Sequence, residues 1–139
     1  MREILFRGKT EDGEWEYGYP YEIYRNCHTR KVIARPPDAF GKGKYTEVID
    51  ETLSQFTGCT DKNGVNIFEG DIIQVDFQQE YIGIKPRPSY IGVVECKNGA
   101  FGIYEKGKGT QYFFQHGLIK TVIGNIHDNP ELLGGADNV

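Results

Sequence analysis

A chain of 139 residues is long enough for one compact domain or two small units sharing a core, and too short for a generous one. Eighteen glycines, about twice the usual ~7% usage, with nine tyrosines and eight phenylalanines against one methionine, favour turns and pleated surfaces over helices. The net charge of −4 excludes a surface that is a polyanion receptor all round, no stretch reaches the ~18 apolar residues of a membrane span, and residues 1–4 lack the apolar core of a secretory signal, so a cytoplasmic protein is expected.

In chain order, Ile4 and Phe6 alternate with polar Glu3 and Arg7, and Glu11-Asp12-Gly13 is a tight-turn signal before Trp15 and Tyr17 resume the alternation. This predicts a hairpin. Residues 19–24 continue extended, although Pro20 withholds an N–H and so favours an edge or a bulge. Residues 31–35 read as another strand, stopped by Pro36-Pro37 and by Gly41-Lys42-Gly43-Lys44, which predicts a long basic loop over 25–44. Residues 45–51 read as a strand leading out of it. Beyond residue 54 the turns tighten. Thr60-Asp61-Lys62-Asn63-Gly64 predicts a hairpin between residues 55–57 and 65–68, because Asn-Gly supplies the positive φ such turns demand. Gly70-Asp71 feeds an alternation that places Ile73, Val75 and Phe77 on one face. Lys97-Asn98-Gly99 joins predicted strands 90–96 and 100–104, and residues 112–114 and 119–126 read as the last strands. Residues 128–133 predict one helical turn, with Asp128 or Asn129 as cap and Pro130 in the first turn.

The fold class is therefore mainly β. An irregular, hairpin-rich segment over residues 1–53 precedes a carboxy-terminal part, 54–139, whose short strands are expected to curl into a small SH3-like barrel.

Catalytic chemistry finds little support. Glu69 and Asp71 are close enough in sequence to suggest a metal or a shared proton, but an aspartate at such a turn more often accepts backbone N–H groups. His28, His116 and His127 are candidate general bases, yet none lies in a Gly-x-Ser-x-Gly or His-Glu-x-x-His pattern, and no phosphate-cradling glycine loop runs into a helix. Cys27, Cys59 and Cys96 form no Cys-x-x-Cys pair, and Cys27-His28 has no second pair with which to complete a zinc site. No catalytic residue, metal or cofactor is expected, and the chain reads as a non-enzyme. A hydrolase or nuclease built on Asp71 and His127 is the chemical alternative.

Two clusters are candidates for binding. Residues 25–44 carry Arg25, Arg30, Lys31, Arg35, Lys42 and Lys44 against Asp38 alone, a balance of +5, and are the candidate nucleic-acid or partner contact. Trp15, Tyr17, Tyr19 and Tyr21 alternate on one face of a strand, as a core stripe, interface aromatics or a surface that stacks on bases do, core or interface being favoured.

Several blocks together resemble the YopX-like family of phage and prophage proteins. They are REILFRG at residues 2–8 with Trp15-Glu16-Tyr17-Gly18, Gln55-Phe56-Thr57-Gly58 with Asp61-Lys62-Asn63-Gly64, Ile67-Phe68-Glu69-Gly70-Asp71-Ile72-Ile73, and Val122-Ile123-Gly124-Asn125-Ile126 with Asn129-Pro130-Glu131-Leu132-Leu133. The resemblance implies low-GC Gram-positive bacteria or their phages as the source and an SH3-like carboxy-terminal barrel, and it implies no activity. The resulting expectation is an accessory protein that binds a host or phage protein and forms a homo-oligomer covering its aromatic surface. Nucleic-acid binding through residues 25–44 is the alternative.

Overall fold

Strands dominate the computed structural model, which describes residues 5–25, 28–35, 44–77, 88–97, 99–105, 109–112 and 118–133. The chain divides into two compact units, residues 1–58 and 59–139. The first contains β1 (Phe6–Lys9), β2 (Trp15–Arg25), β3 (His28–Arg35), β4 (Lys44–Glu47), a 3-10 turn (Asp50–Thr52) and most of β5 (Ser54–Thr60). The second contains the end of β5, then β6 (Asn66–Phe68), β7 (Asp71–Phe77), β8 (Tyr90–Lys97), β9 (Ala100–Glu105), β10 (Gly109–Tyr112), β11 (Leu118–Asn125) and a 3-10 turn (Pro130–Leu133). Two antiparallel sheets result, ordered β4-β3-β2-β1-β5-β6 and β10-β9-β8-β7-β11. No helix among the described residues is long and apolar enough to cross a membrane.

In the first unit β1 and β2 form the expected hairpin, with Phe6 opposite Gly18 and Lys9 opposite Trp15. β2 then continues past the end of β1 and pairs with β3, Tyr19 opposite Ala34 and Arg25 opposite His28. Among the described residues Pro20 lies beyond the last β1 partner, on a stretch where β2 pairs with β3 alone, so its missing N–H costs no ladder bond there. Gly18 lies where the two strands approach closely, since a Cβ there would sit 2.3 Å from the Ala34 carbonyl oxygen. Val32, Ile33, Ala34 and Val48 are buried and form the apolar interior of this unit.

The second unit encloses Ile67, Ile73, Val75, Val94 and Ile103, all fully buried, with Cys59, Phe77, Tyr90, Phe101, Leu118 and Val122 packed around them. The β8–β9 hairpin forms as expected, Lys97 opposite Ala100, and so does the turn at Pro130, where the Leu132 N–H donates to the Asn129 carbonyl at 3.0 Å.

Three expectations need correction. The strand expected at 31–35 forms as β3, but the loop expected over 25–44 is not one loop: Arg25, Arg30, Lys31, Arg35 and Lys44 lie in β2, β3 and β4, because the apolar run Val32-Ile33-Ala34 gains more by pairing on both sides than by staying solvated. Residues 45–51 are a strand only to Glu47, after which the Thr52 hydroxyl donates to the Ile49 carbonyl at 2.6 Å and helps close a 3-10 turn. Among the described residues the second sheet does not close into a barrel. Closure would bring the β10 and β11 edges together, but β10 pairs with β9, β11 with β7, and these ladders show one register irregularity, between Val122 and Gly124, where a small closed barrel needs repeated bends.

Candidate binding face of the first sheet

The alternation of β2 separates its residues onto two faces. Gly18 is buried and Pro20 half-buried on one, while Tyr17, Tyr19 and Tyr21 on the other expose 46%, 45% and 54% of their surface. The stripe is therefore not the core that one sequence reading made it. Trp15, the first of the four aromatics, is half-buried: the Arg7 guanidinium stands 4.6 Å above its ring centroid and the Lys9 ammonium 5.9 Å away, both within cation–π range. Arg7 is itself buried and donates to the Ser54 hydroxyl at 3.3 Å.

A fourth tyrosine joins the face. Register places Tyr45 opposite Ala34, which in turn faces Tyr19, and Val32 opposite Tyr21. Tyr45 is 63% exposed and meets Tyr21 edge to face, 6.2 Å between centroids at 75°. Sequence reading missed its place here because it treated residues 25–44 as a loop. The available signal was the same alternation continued across Val32 and Ala34. Beneath the rings these two side chains are buried, so the tyrosines stand on a packed apolar floor.

The candidate cations are distributed over the same sheet. Arg35 pairs with Lys44, Arg30 with Ile23 and Lys31 with Glu22, whereas Lys42 lies outside the described residues. Strands β1 to β4 together hold seven cations against three carboxylates, Glu16, Glu22 and Glu47, which leaves nine against seventeen for the remainder of the chain. Opposite in character, an open hollow of about 470 Å³ that begins at Thr46 and Glu47 of β4 is lined by Glu11, Asp12, Glu47, Asp50 and Glu51. Sequence reading did not anticipate it, since its carboxylates come from segments 35 or more residues apart.

Asp71 is fully buried and accepts the Phe68 N–H at 2.8 Å, fixing the turn that Gly70 makes possible with φ at +88°. Asp61 is buried too, and its carboxylate accepts the N–H groups of Asn63 at 2.8 Å, Val65 at 2.9 Å and Val122 at 3.0 Å. Burial works against its charge, but the N–H donors from Val122, Val65 and Asn63 and the nearby Lys62 outweigh it and hold the carboxyl below its usual value. The backbone N–H of His127 donates to the Asn125 amide oxygen, and Asn125 lies opposite Asp71 in the sheet. His28 is the first residue of β3, His116 and Cys27 lie outside the described residues, and Cys59 is half-buried while Cys96 is exposed. Among the described residues no group of three or more His, Cys, Asp and Glu is placed to hold a metal ion.

The chain matches the family model described as YopX protein over residues 5–134. Among solved structures it is similar to protein EF1440 from Enterococcus faecalis, with 25% identity, a TM-score of 0.52, and coverage of 96% of this chain and 99% of that one. Protein yopX from Bacillus subtilis is similar in fold, at 14% identity and a TM-score of 0.57, with the same coverage of 96% and 99%. No curated protein matches.

Proposed function

The chain belongs to the YopX protein family, and on that premise we propose that it works by binding, with the tyrosine face of its first sheet as the contact surface and no reaction of its own. One observation carries the reading: Tyr17, Tyr19, Tyr21 and Tyr45 gather on one face with roughly half of each ring or more in solvent, although the same sheet buries Val32, Ile33 and Ala34. Large aromatics are what a contact surface needs, because each brings wide area at little conformational cost. Tyrosine keeps such a face soluble when it is empty. Asp71, the carboxylate on which the hydrolase alternative would rest, accepts the Phe68 N–H instead.

In this reading the protein is an accessory factor of a phage or prophage, acting in the bacterial cytoplasm. Tyrosine nitration mapped by mass spectrometry tests the surface. The four face tyrosines should react in dilute purified protein and be protected in extract from induced host cells, and equal reactivity in the two would remove the reading. Homo-oligomerisation is part of the same proposal, since units this small bury little surface by themselves. Light scattering at micromolar concentration should then give a mass above that of one chain; a clean monomer would remove the oligomer.

A further inference from the structure

We propose that the occupant of the tyrosine face is a single-stranded nucleic acid, its bases stacked on Tyr19, Tyr21 and Tyr45 and its phosphates drawn by the cations of β1 to β4. The inference rests on the reading that this face is a contact surface, and it names the partner.

Three features of the face select this occupant. The first is spacing. Alternate residues of a strand recur every ~7 Å and neighbouring strands lie ~5 Å apart, so Tyr19, Tyr21 and Tyr45 form a two-dimensional set of rings on a sheet surface. Ala34, opposite both Tyr19 and Tyr45, is buried, and Tyr21 and Tyr45 meet edge to face, so the rings make one continuous surface on which flat bases stack. The second is charge. Strands β1 to β4 hold seven cations against three carboxylates in a chain whose net charge is −4. By register and alternation four of the seven positions, Arg7, Lys9, Arg25 and Arg30, fall on the tyrosine side with Glu47 as its one carboxylate, while Lys31, Arg35 and Lys44 fall on the other. A second copy seated face to face would bring these like charges together, whereas a polyanion neutralises them. The third is access. A duplex hides the faces of its bases within the stack, and a sheet carrying rings offers nothing that reads a groove, so the single strand is the form that gains from stacking.

The test is fluorescence anisotropy of a labelled oligothymidylate and oligouridylate of about 12 nucleotides, a length within the usual site size of a small stacking module. At about 50 mM salt binding in the micromolar range is expected, weakening at least tenfold at about 200 mM, with a duplex of equal length at least tenfold weaker than the single strand. The Tyr19→Ser, Tyr21→Ser double variant should lose at least tenfold in affinity, while Tyr104→Ser, an exposed tyrosine of the second sheet, should lose none. Should the double variant fail to fold, Tyr45→Ser removes the most exposed of the rings and should cost about threefold or more. Absence of binding at low salt, or binding unchanged by both sets of substitutions, overturns the inference. Nitration separates the two levels. Tyrosines protected by host extract but not by oligonucleotide would mean a contact surface whose occupant is a protein, and protection by neither would remove both.

Discussion

Asp61 is the residue on which most of the second unit's local geometry converges. Its single carboxylate ties its own turn, through Asn63 and Val65, to β11 through Val122. Removing it leaves three N–H groups without their acceptor, and losing hydrogen bonds to a charged, buried group costs about 2–3 kcal/mol in all. Asp61→Ala should therefore lower the urea midpoint by that amount at neutral pH with little change in slope. The pH dependence has a definite sign. The folded carboxyl binds its proton less tightly than the unfolded one, so the unfolded state takes up more protons in acid. The stabilisation is present in full above the unfolded value of about 3.9 and is lost as pH falls through the lower, folded value. Urea midpoints measured from neutral pH to about pH 2 should converge for the native and Ala proteins at the acid end. A constant gap would show that the carboxylate's charge contributes nothing.

At the scale of elements, two glycines separate turn chemistry from packing. Gly64 closes the Asp61 turn with φ at +81°, and a Cβ there meets nothing within 4 Å. Gly64→Ala should thus cost only the left-handed backbone preference, about 1 kcal/mol. Gly18 is different, because its Cβ would lie 2.3 Å from a backbone oxygen of β3 and 3.0 Å from Ile33 Cγ2, neither of which can swing aside. Gly18→Ala should cost about 3 kcal/mol or more and loosen the β2–β3 pair, read as faster amide exchange along β3. The contrast explains what was legible in the sequence. Asn63-Gly64 and the Gly99 hairpin declare themselves locally, since the residue types and the required backbone angles belong to the same few positions. The β2–β3–β4 meander does so only in part: strands were legible at 19–24, 31–35 and from 45, but their pairing through Val32, Ile33 and Ala34 is tertiary, and neighbouring prolines, glycines and cations pointed to a loop between them. The candidate face followed the same rule: the β2 tyrosines were visible by alternation, but their exposure and the addition of Tyr45 depend on which strands lie beside β2.

Over the whole molecule charge divides between β1 to β4 and everything else more than between the two units, since residues 1–58 carry nine cations against ten carboxylates and residues 59–139 seven against ten. An overall charge of −4 arises from a first sheet in which β1 to β4 are net positive and a remainder in which seventeen carboxylates face nine cations. Such an arrangement behaves as a local cation at separations shorter than the Debye length and as an anion at longer ones. The protein should then be retained at pH 7 on a phosphate-bearing cation exchanger in low salt, although its pI of about 5.4 forecasts that it would flow through. Retention should weaken as salt rises and vanish near about 0.15 M, where the Debye length falls to roughly 8 Å and the attraction between patch and resin is itself screened. Reversing Arg30 and Arg35 to Glu takes four units of charge from β3 and should abolish retention at any salt, whereas reversing Lys97 and Lys120, in the second sheet, should leave most of it. Equal loss from the two reversals would mean that the resin responds to net charge alone, and the concentration of cations on the tyrosine-bearing sheet would then have no consequence in solution.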